Sequence, residues 1–304
     1  MITVLSGGVG AARLLRALGD VHEPSATTAV VNVGDDVIIH GLTICPDLDT
    51  ITYTLAGLNN EELGWGLRGE TWRVMDELEA LGGEAWFRLG DRDLATHLYR
   101  SQRLSEGATK TEATAELARR HGVRVTILPV TNDPLATEFL ADEGRLSFQE
   151  YFVRRHHDVV VRSIEVVGAQ EAHPSIEVMS ALEGAGRIVI APSNPLISID
   201  PILQVPGVSD VLRARSSDVV AVSPLIRGAA LKGPADRLMR ELGHESSALG
   251  VVDYYQGLVG TWIIDEADAS LADSIRERGV RVIVTTTVMA DPDDARRLAK
   301  AVLA

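Results

Sequence analysis

Cysteine is almost absent from this sequence. Cys45 is the only one in 304 residues, which excludes an intramolecular disulfide and a metal site made of clustered cysteines. This cysteine usage is typical of a reducing compartment, so we expect a cytoplasmic protein. The opening residues MITVL are too short and uncharged for a signal peptide, and Gly7 and Gly8 interrupt the apolar character directly after them.

Positive charge and long apolar runs are also scarce. The chain has 29 lysines and arginines against 43 acidic residues, a formal net charge of −14, and no lysine or arginine tract. This surplus of acid argues against nucleic acid or an anionic membrane as the partner. No apolar run approaches the roughly 20 residues that a membrane-spanning helix needs. We therefore expect small-molecule substrates, with no nucleic acid and no membrane.

What the sequence does contain is a regular alternation of short apolar runs and amphipathic segments. The runs predict strands: ITVLS, TTAVVNV, VRVTILPV, RIVIAPS, VVAVSP, TWIID and VRVIVTTT. Segments such as AARLLRALG and TWRVMDELEALGG, with glycine stops, predict helices between them. Near-continuous Val/Ile runs are typical of parallel strands buried on both faces. The sequence predicts one α/β domain over residues 1–304, with a doubly wound, mostly parallel, Rossmann-like sheet.

One stretch departs from this alternation. Residues 136–170 are rich in β-branched and aromatic residues, with a turn at Asp142–Gly144. We predict a small β-rich subdomain or insertion there.

The segment SGGVGAAR, residues 6–13, joins the first predicted strand to the first helix. Glycines permit positive φ and close backbone approach, and a helix N-terminus offers free N–H groups to an anion. No Walker-type Gly-Lys-Ser/Thr follows, and Arg13 stands where a dinucleotide fingerprint has its third small residue, which disfavours a NAD-dependent oxidoreductase. The loop predicts a diphosphate site, and a tight turn without a ligand fits the same residues.

The stretch DDVIIHGLTICPDLDT, residues 35–50, holds four aspartates and no lysine or arginine. Asp35 and Asp36 follow the second strand, at the edge where α/β sheets bind ligands. Asp47 and Asp49 are expected just before the next helix, facing the same way in an extended segment. Carboxylates near a diphosphate are the usual ligands of Mg²⁺, so the stretch predicts a magnesium site. Alternatively, Asp47 is a solvated turn residue and Asp49 a helix cap.

Further candidates lie along the chain. LGDRDLATH, residues 89–97, offers His97 as a base, although a charged helix start is the interpretation we prefer. Arg88 and Arg92 are suited to a phosphate or a carboxylate. Arg227 and Lys232 lie in a glycine-rich segment that either contacts phosphate or forms a simple loop.

Several motifs, in order from residue 6 to residue 255, resemble the CofD family of coenzyme F-420 biosynthesis. The ordered set is specific, and ICPDLDT with GDD is most similar to the actinobacterial branch. The motifs are SGGVGAARLL, NVGDD, ICPDLDT, GWG with ETW, LGDRDLATH, LPVTNDP, APSNPLISIDPIL, AVSPLIRG and SALGVVDYY.

The resemblance implies a transferase. Family members move a phosphate carrying a three-carbon acid from a guanosine diphosphate adduct to the ribityl hydroxyl of a hydroxylated deazariboflavin, and release GMP. The acid is lactate in the archaeal branch and enolpyruvate in the actinobacterial branch. The resemblance also implies a Mg²⁺ requirement and a homodimer.

Roles carried over from the motifs are implied by the same resemblance. Asp49 falls in the motif that contacts deazaflavin and metal, and Arg88 falls at a deazaflavin-contacting position. Asp35 is the second metal candidate, so that Asp35 and Asp49 would act in catalysis through the metal. The motifs on the side of the guanosine diphosphate moiety match Gly7, Gly8, Gly10, Ser193 and Asn194. The chain departs from the family pattern at Asp200, where a glycine is expected.

A second hypothesis comes from another functional class. The related gluconeogenesis-factor family shares the glycine loop and the acid pair, and its members are nucleotide-sugar-binding regulators without clear catalysis. The presence of both PDLDT and LGDRDLATH in this chain favours the transferase.

Overall fold

The computed structural model describes residues 1–304 and contains fourteen strands and twelve α-helices. The strands are β1 (Ile2–Ser6), β2 (Thr27–Val31), β3 (Val37–Ile39), β4 (Leu42–Ile44), β5 (Thr126–Pro129), β6 (Ala136–Ala141), β7 (Gly144–Ser147), β8 (Val161–Val167), β9 (Arg187–Ile190), β10 (Val219–Val222), β11 (Leu225–Ile226), β12 (Ala229–Ala230), β13 (Thr261–Ile264) and β14 (Arg281–Val284). The helices are α1 (Gly8–Val21), α2 (Pro46–Leu55), α3 (Arg73–Ala80), α4 (Asp91–Ser105), α5 (Lys110–Arg120), α6 (Ile176–Glu183), α7 (Asp200–Leu203), α8 (Val208–Ala214), α9 (Ala235–Glu241), α10 (Ala248–Tyr254), α11 (Ala272–Arg276) and α12 (Pro292–Leu303).

Seven strands form the central sheet, in the order β14-β13-β10-β9-β1-β2-β5, and every neighbouring pair is parallel. Strands β1, β2, β10 and β13 are buried along their whole length, as their apolar runs predict. Helix α1 buries Leu14, Leu15 and Leu18 on one face and packs against α2 and α12. The predicted fold class is confirmed.

The predicted β-rich stretch contains a separate antiparallel sheet in the order β7-β6-β8. Strand β6 alternates between buried and less buried positions, and Phe139 on its buried face stacks on Tyr151 with 4.0 Å between ring centroids. Two short hairpins, β3-β4 and β11-β12, complete the strands. No helix combines the length and the apolarity that crossing a bilayer requires.

Helix α2 begins earlier than the sequence analysis expects. Pro46 is its first residue, so Asp47 and Asp49 lie inside its first turn. Proline suits the first helical position, and acidic side chains there stabilise the positive end of the helix dipole. Residues two apart on a helix point in different directions, so the expectation that Asp47 and Asp49 face the same way is wrong.

The sheet order reverses at β1. The chain continues to one side through β2 and β5, and later to the other side through β9, β10, β13 and β14. Open α/β sheets bind ligands at such a reversal, outside the carboxyl ends of the strands. The segments that follow β1, β2 and β9 are therefore the ones that form the candidate site.

Candidate active site

The turn after β1 requires glycine because it packs closely on the segment after β9. A Cβ atom on Gly7 would lie 2.7 Å from the Cβ of Ser198, and one on Gly10 would lie 2.5 Å from the carbonyl oxygen of Pro192. Gly8 has a φ of +70°, which side-chain-bearing residues rarely adopt. The glycines of this turn are therefore explained by close packing on the segment after β9 as well as by the binding of an anion.

Ser193 and Asn194 form part of that neighbouring segment. The Ser193 hydroxyl donates to the carbonyl oxygen of Gly7 over 2.7 Å, which ties the two turns together. The side-chain oxygen of Asn194 accepts from the N–H of Leu196 over 3.0 Å, at the start of a π-helical turn, Pro195–Ile199. The structure brings Ser193 and Gly7 together, and the nucleotide-binding roles of these residues remain predictions.

Two carboxylates meet on one amide at the end of β2. The Asn32 side-chain N–H₂ donates to Asp35 over 2.9 Å and to Asp47 over 3.0 Å. The other oxygen of Asp47 accepts from the backbone N–H of Gly8 over 2.7 Å, at the N-terminus of α1. Asp35 and Asp47, termed the carboxylate pair, are both buried. The pair therefore lies directly beside the glycine turn.

The carboxylate pair lacks a compensating cation from the protein. Neither member forms an ion pair with any lysine, arginine or histidine of the described chain. Burial raises the pKa of Asp35 well above its usual value, and the neighbouring Asp47 raises it further. Burial likewise raises the pKa of Asp47 to about 6. A divalent cation bound by both carboxylates would offset the free-energy cost of burying their negative charges.

The other two acids of the stretch do have cations. Asp36 accepts from the Lys110 ammonium over 2.5 Å, and both side chains are largely buried. Asp49 accepts from the Arg100 guanidinium through both oxygens, with Arg100 Nη1 lying 3.1 Å from Oδ2. The uncompensated negative charge of the stretch is thus concentrated on the carboxylate pair.

Helix α4 contributes His97, which the sequence offers as a base but favours as part of a charged helix start, and Arg100, which the sequence motifs do not include. His97 is buried, with Nε2 lying 3.3 Å from Asp93 and Nδ1 lying 3.7 Å from Asp49. Tyr53 donates to Asp93 over 2.6 Å. Burial raises the pKa of Asp93, but hydrogen bonding from His97 and Tyr53 outweighs it and lowers that pKa overall. The signal in the sequence was the spacing of Asp93, His97 and Arg100 at i, i+4 and i+7, which places them on one helix face.

This buried group also contains a second set of potential metal ligands. Donor atoms of Asp49, Asp93 and His97 lie within 4.8 Å of one another. The Arg100 guanidinium lies among them, bonded to Asp49 and 3.3 Å from His97. Its positive charge opposes a cation there, so the carboxylate pair is the better metal site.

Two cavities are lined by residues close in sequence to the glycine turn and the acidic stretch, although neither Asp35 nor Asp47 lines them. The larger has a volume of about 460 Å³ and is connected to the pair through Gln149, whose side-chain amide donates to the backbone carbonyl of Asp35 over 2.8 Å. The guanidinium of Arg154 lies 5.7 Å from the ring centroid of Trp86 in its wall. Its lining residues are apolar, aromatic and polar: Val37, Ile38, Ile39, His40, Glu84, Trp86, Phe87, Ser147, Gln149, Glu150 and Arg154.

The smaller cavity, about 190 Å³, lies between α1, α2 and the segment 59–66. Val9 and Thr50 line it, and they directly follow Gly8 and Asp49 in the sequence. Its wall is mostly polar and includes three cationic side chains, which suits a phosphate-bearing ligand: Arg13, Arg16 and Lys232.

Arg88 directly follows Phe87, which lines the larger cavity. The Arg88 guanidinium donates to Asp76 over 2.7 Å and lies 5.4 Å from the ring centroid of Trp72. The side chain is 40% exposed, so it is accessible to a ligand. Its contact with deazaflavin remains a prediction.

Comparison with known proteins decides the family. Residues 2–303 match the family model described as "2-phospho-L-lactate transferase CofD". The chain belongs to the CofD family. The resemblance drawn from the motifs is confirmed, and this CofD-family protein is a transferase of coenzyme F-420 biosynthesis.

Curated relatives of this CofD-family protein cover nearly the whole chain. The "Phosphoenolpyruvate transferase" of Thermobifida fusca is 42% identical over 99% of this chain and 96% of the relative. That of Mycolicibacterium smegmatis is 38% identical over 99% and 97%. The "2-phospho-L-lactate transferase" of Methanosarcina acetivorans is 36% identical over 99% and 97%.

Solved structures with the same fold are more distant. A crystal structure of protein BH3568 from Bacillus halodurans aligns with a TM-score of 0.66 at 18% identity, over 100% of this chain and 99% of that chain. A second crystal structure of that protein, described as a member of the UPF0052 family, gives a TM-score of 0.63 at 17% identity. At this identity the likeness shows the fold alone.

Proposed function

We propose that the protein transfers a phosphoenolpyruvyl group from enolpyruvyl-2-diphospho-5'-guanosine to 7,8-didemethyl-8-hydroxy-5-deazariboflavin and releases GMP. The analogous lactyl adduct, whose product carries 2-phospholactate, is the second candidate donor. The higher identity to the phosphoenolpyruvate transferases favours the enolpyruvyl donor. The observation that carries the proposal is the uncompensated carboxylate pair beside the glycine turn. One cavity is lined by residues that follow Asp35 in the chain, and a second is lined by residues of α1 and α2.

The two cavities suit the two substrates. The larger has the volume of a typical small-molecule site and an aromatic wall, as a flat tricyclic acceptor requires. The smaller adjoins the N-terminus of α1 and presents cationic side chains, as an anionic donor requires. The carboxylate pair would then lie where the donor diphosphate meets the acceptor hydroxyl.

The residues fit Mg²⁺. The ion prefers carboxylate oxygens and keeps several waters, and the pair offers two buried carboxylates without a cation. Asp35 and Asp47 would hold it. Asp49, the other metal ligand that the sequence predicts, is bonded to Arg100 through both oxygens, and in this proposal it keeps only its predicted contact with the acceptor. When bound, Mg²⁺ would neutralise charge that develops on the diphosphate.

The chain's own groups would position the reactants. In the transfer, the ribityl oxygen forms a bond to the phosphorus that bears the three-carbon acid, while the bond from that phosphorus to the GMP oxygen breaks. N–H groups at the N-terminus of α1 would face the diphosphate, and the cations of the smaller cavity would bind its charge. The proton of the ribityl hydroxyl leaves to an aspartate or to water.

Turnover with purified protein tests the proposal. We expect GMP release and a product whose mass equals deazariboflavin plus the phosphoenolpyruvyl group, more with the enolpyruvyl donor than with the lactyl donor. Removing divalent metal with EDTA should stop the reaction, and adding Mg²⁺ back should restore it. Binding of guanosine diphosphate without any product from either donor would instead support the regulatory alternative. Light scattering during size exclusion would test the homodimer that the family implies.

Arg88→Ala tests the placement of the acceptor. We expect the Kd for deazariboflavin, measured by its fluorescence quenching, to rise about tenfold because a guanidinium that faces the ligand is lost. The Kd for guanosine diphosphate should stay within about twofold. Arg213→Ala is the matched control, since Arg213 is exposed on α8 and pairs only with Asp210. An equal loss of affinity for both ligands would reject the assignment.

A further inference from the structure

We infer that Arg100 is a positioning residue, which fixes the carboxylate of Asp49 for the transfer reaction. The inference rests on the proposed function, because it concerns how Asp49 meets the acceptor. It assigns a role to a residue outside the motif residues that the resemblance brought into the site.

The geometry of the contact is two-pronged. Both terminal nitrogens of Arg100 donate to Asp49, one to each carboxylate oxygen, and the Nη1–Oδ2 distance is 3.1 Å. Nη1 also lies 3.3 Å from the backbone carbonyl of Thr43, in strand β4 of the β3-β4 hairpin. A planar guanidinium bonded in this way fixes the plane of the carboxylate as well as its position.

Arg100 has no route to the substrates of its own. Only 1% of its side chain is exposed, and it lines neither cavity. Any effect of Arg100 on the reaction must therefore pass through the groups that it touches. Among those groups, Asp49 is the one that the family motifs place against the acceptor.

Packing alone does not explain an ion pair at this position. Burying two charges costs desolvation energy that their attraction repays only partly, and apolar residues of similar volume often stabilise a protein equally well or better. Helix α2 buries Leu48 and Ile51 in the apolar core, whereas the buried residues of α4 are all polar: Asp93, Thr96, His97 and Arg100. The pair gives Asp49 a fixed orientation, which an apolar contact does not supply.

His97 holds the same assembly from one side. Its Nδ1 lies 3.3 Å from Arg100 and its Nε2 lies 3.3 Å from Asp93. Tyr53 on α2 in turn bonds Asp93 over 2.6 Å, so the chain of contacts returns to the helix that carries Asp49. The guanidinium is therefore itself held in place.

Arg100→Lys is the decisive variant, because it keeps the charge and loses the two-pronged contact. We expect kcat to fall by about 10- to 100-fold, and the Kd for deazariboflavin, measured by its fluorescence quenching, to rise by about tenfold. The KM for the guanosine donor should stay within about twofold. Arg103→Lys is the matched control, since Arg103 lies one turn further along α4 and bonds Glu116 and Glu106 instead. Losses of kcat and of deazariboflavin affinity no greater than in this control would overturn the inference.

A double-mutant cycle keeps the test valid if Arg100→Lys unfolds. Should Arg100 act through Asp49, Arg100→Gln will cause no further loss of deazariboflavin affinity in the Asp49→Asn background, whereas additive losses would refute the role. Failure of the proposed function is a separate result, seen as the absence of product from the unaltered protein with either donor. Wild-type turnover with an unaffected Arg100→Lys variant would reject the positioning role alone.

Discussion

Asp35→Asn is expected to abolish turnover while leaving the metal-free protein at least as stable as the wild type. Asn32 donates to Asp35, and an asparagine oxygen at position 35 can accept the same bond. The substitution removes one of two buried carboxylates that face each other without a cation. Because the metal would lose a charged ligand, kcat should fall at least about 100-fold.

The stability effect has a defined dependence on pH. The folded-state pKa of Asp35 lies above the ordinary value of 3.8, so ionising it costs folding free energy near neutral pH. That cost shrinks as the pH falls through the folded-state pKa and is gone below 3.8, where the carboxyl is protonated in the folded and the unfolded protein alike. The Tm of Asp35→Asn should therefore equal or exceed that of the wild type at pH 7, with any excess shrinking in acid.

Thermal unfolding in EDTA-containing buffer at several pH values measures this. Asp210→Asn, an exposed aspartate on α8, is the control for the substitution itself. A variant that keeps wild-type turnover would remove Asp35 from the mechanism. A large loss of stability at pH 7 would show that the Asp35 carboxylate is compensated by a cation in the folded protein, so that the carboxylate pair would not be free to take up a metal.

Asp49→Asn should lose both turnover and stability, in contrast to Asp35→Asn. Asp49 bonds the buried guanidinium of Arg100 through both oxygens, so its removal leaves a positive charge buried without a partner. Breaking a buried ion pair in this way costs about 3–5 kcal/mol of unfolding free energy. Turnover should fall at least about 100-fold as well, since the acceptor loses a fixed carboxylate.

The double variant Asp49→Asn/Arg100→Met separates the two losses. Removing the stranded charge should recover most of the unfolding free energy, measured by urea denaturation, while activity stays absent. If Asp49→Asn alone unfolds at the wild-type urea concentration, then the ion pair with Arg100 is not formed in solution. If it turns over at the wild-type rate, Asp49 has no part in the reaction.

The opposite stability effects expected for Asp35→Asn and Asp49→Asn come from one feature of the acidic stretch. Its four aspartates are not equivalent, because Asp36 and Asp49 have buried cations from α5 and α4, and Asp35 and Asp47 have none. The sequence shows four acids without a nearby lysine or arginine, yet the compensating charges come from residues 51 and 74 positions away. The electrostatic character of each acid is therefore a tertiary property.

The sheet was predictable because its strands are buried on both faces. Runs such as ITVLS and RIVIAPS do not alternate between apolar and polar residues, which is typical of central parallel strands. The two strands that they form, β1 and β9, are adjacent in the sheet. The glycine turn was predictable for a similar local reason. Gly7 and Gly10 pack too closely on Ser198 and Pro192 to carry a side chain, so only glycine fits at these two positions.

The details of the site were less accessible. Proline prefers the first helical position, so the sequence is compatible with a start of α2 at Pro46. An extended segment at this point instead predicts the wrong orientation for the side chain of Asp47. The burial of Arg100 and His97 was less accessible still. Their spacing with Asp93 places them on one face of α4, but only the packing of α4 near α2 shows that Asp49 is their partner.

Diffraction from crystals soaked in Mn²⁺ and guanosine diphosphate tests the central claim most directly, because the anomalous signal locates the metal. We predict a peak within coordination distance of the carboxylates of Asp35 and Asp47, beside the Gly8 turn and a phosphate oxygen. A peak among Asp49, Asp93 and His97 instead, or no peak at the carboxylate pair, would contradict this placement of the metal.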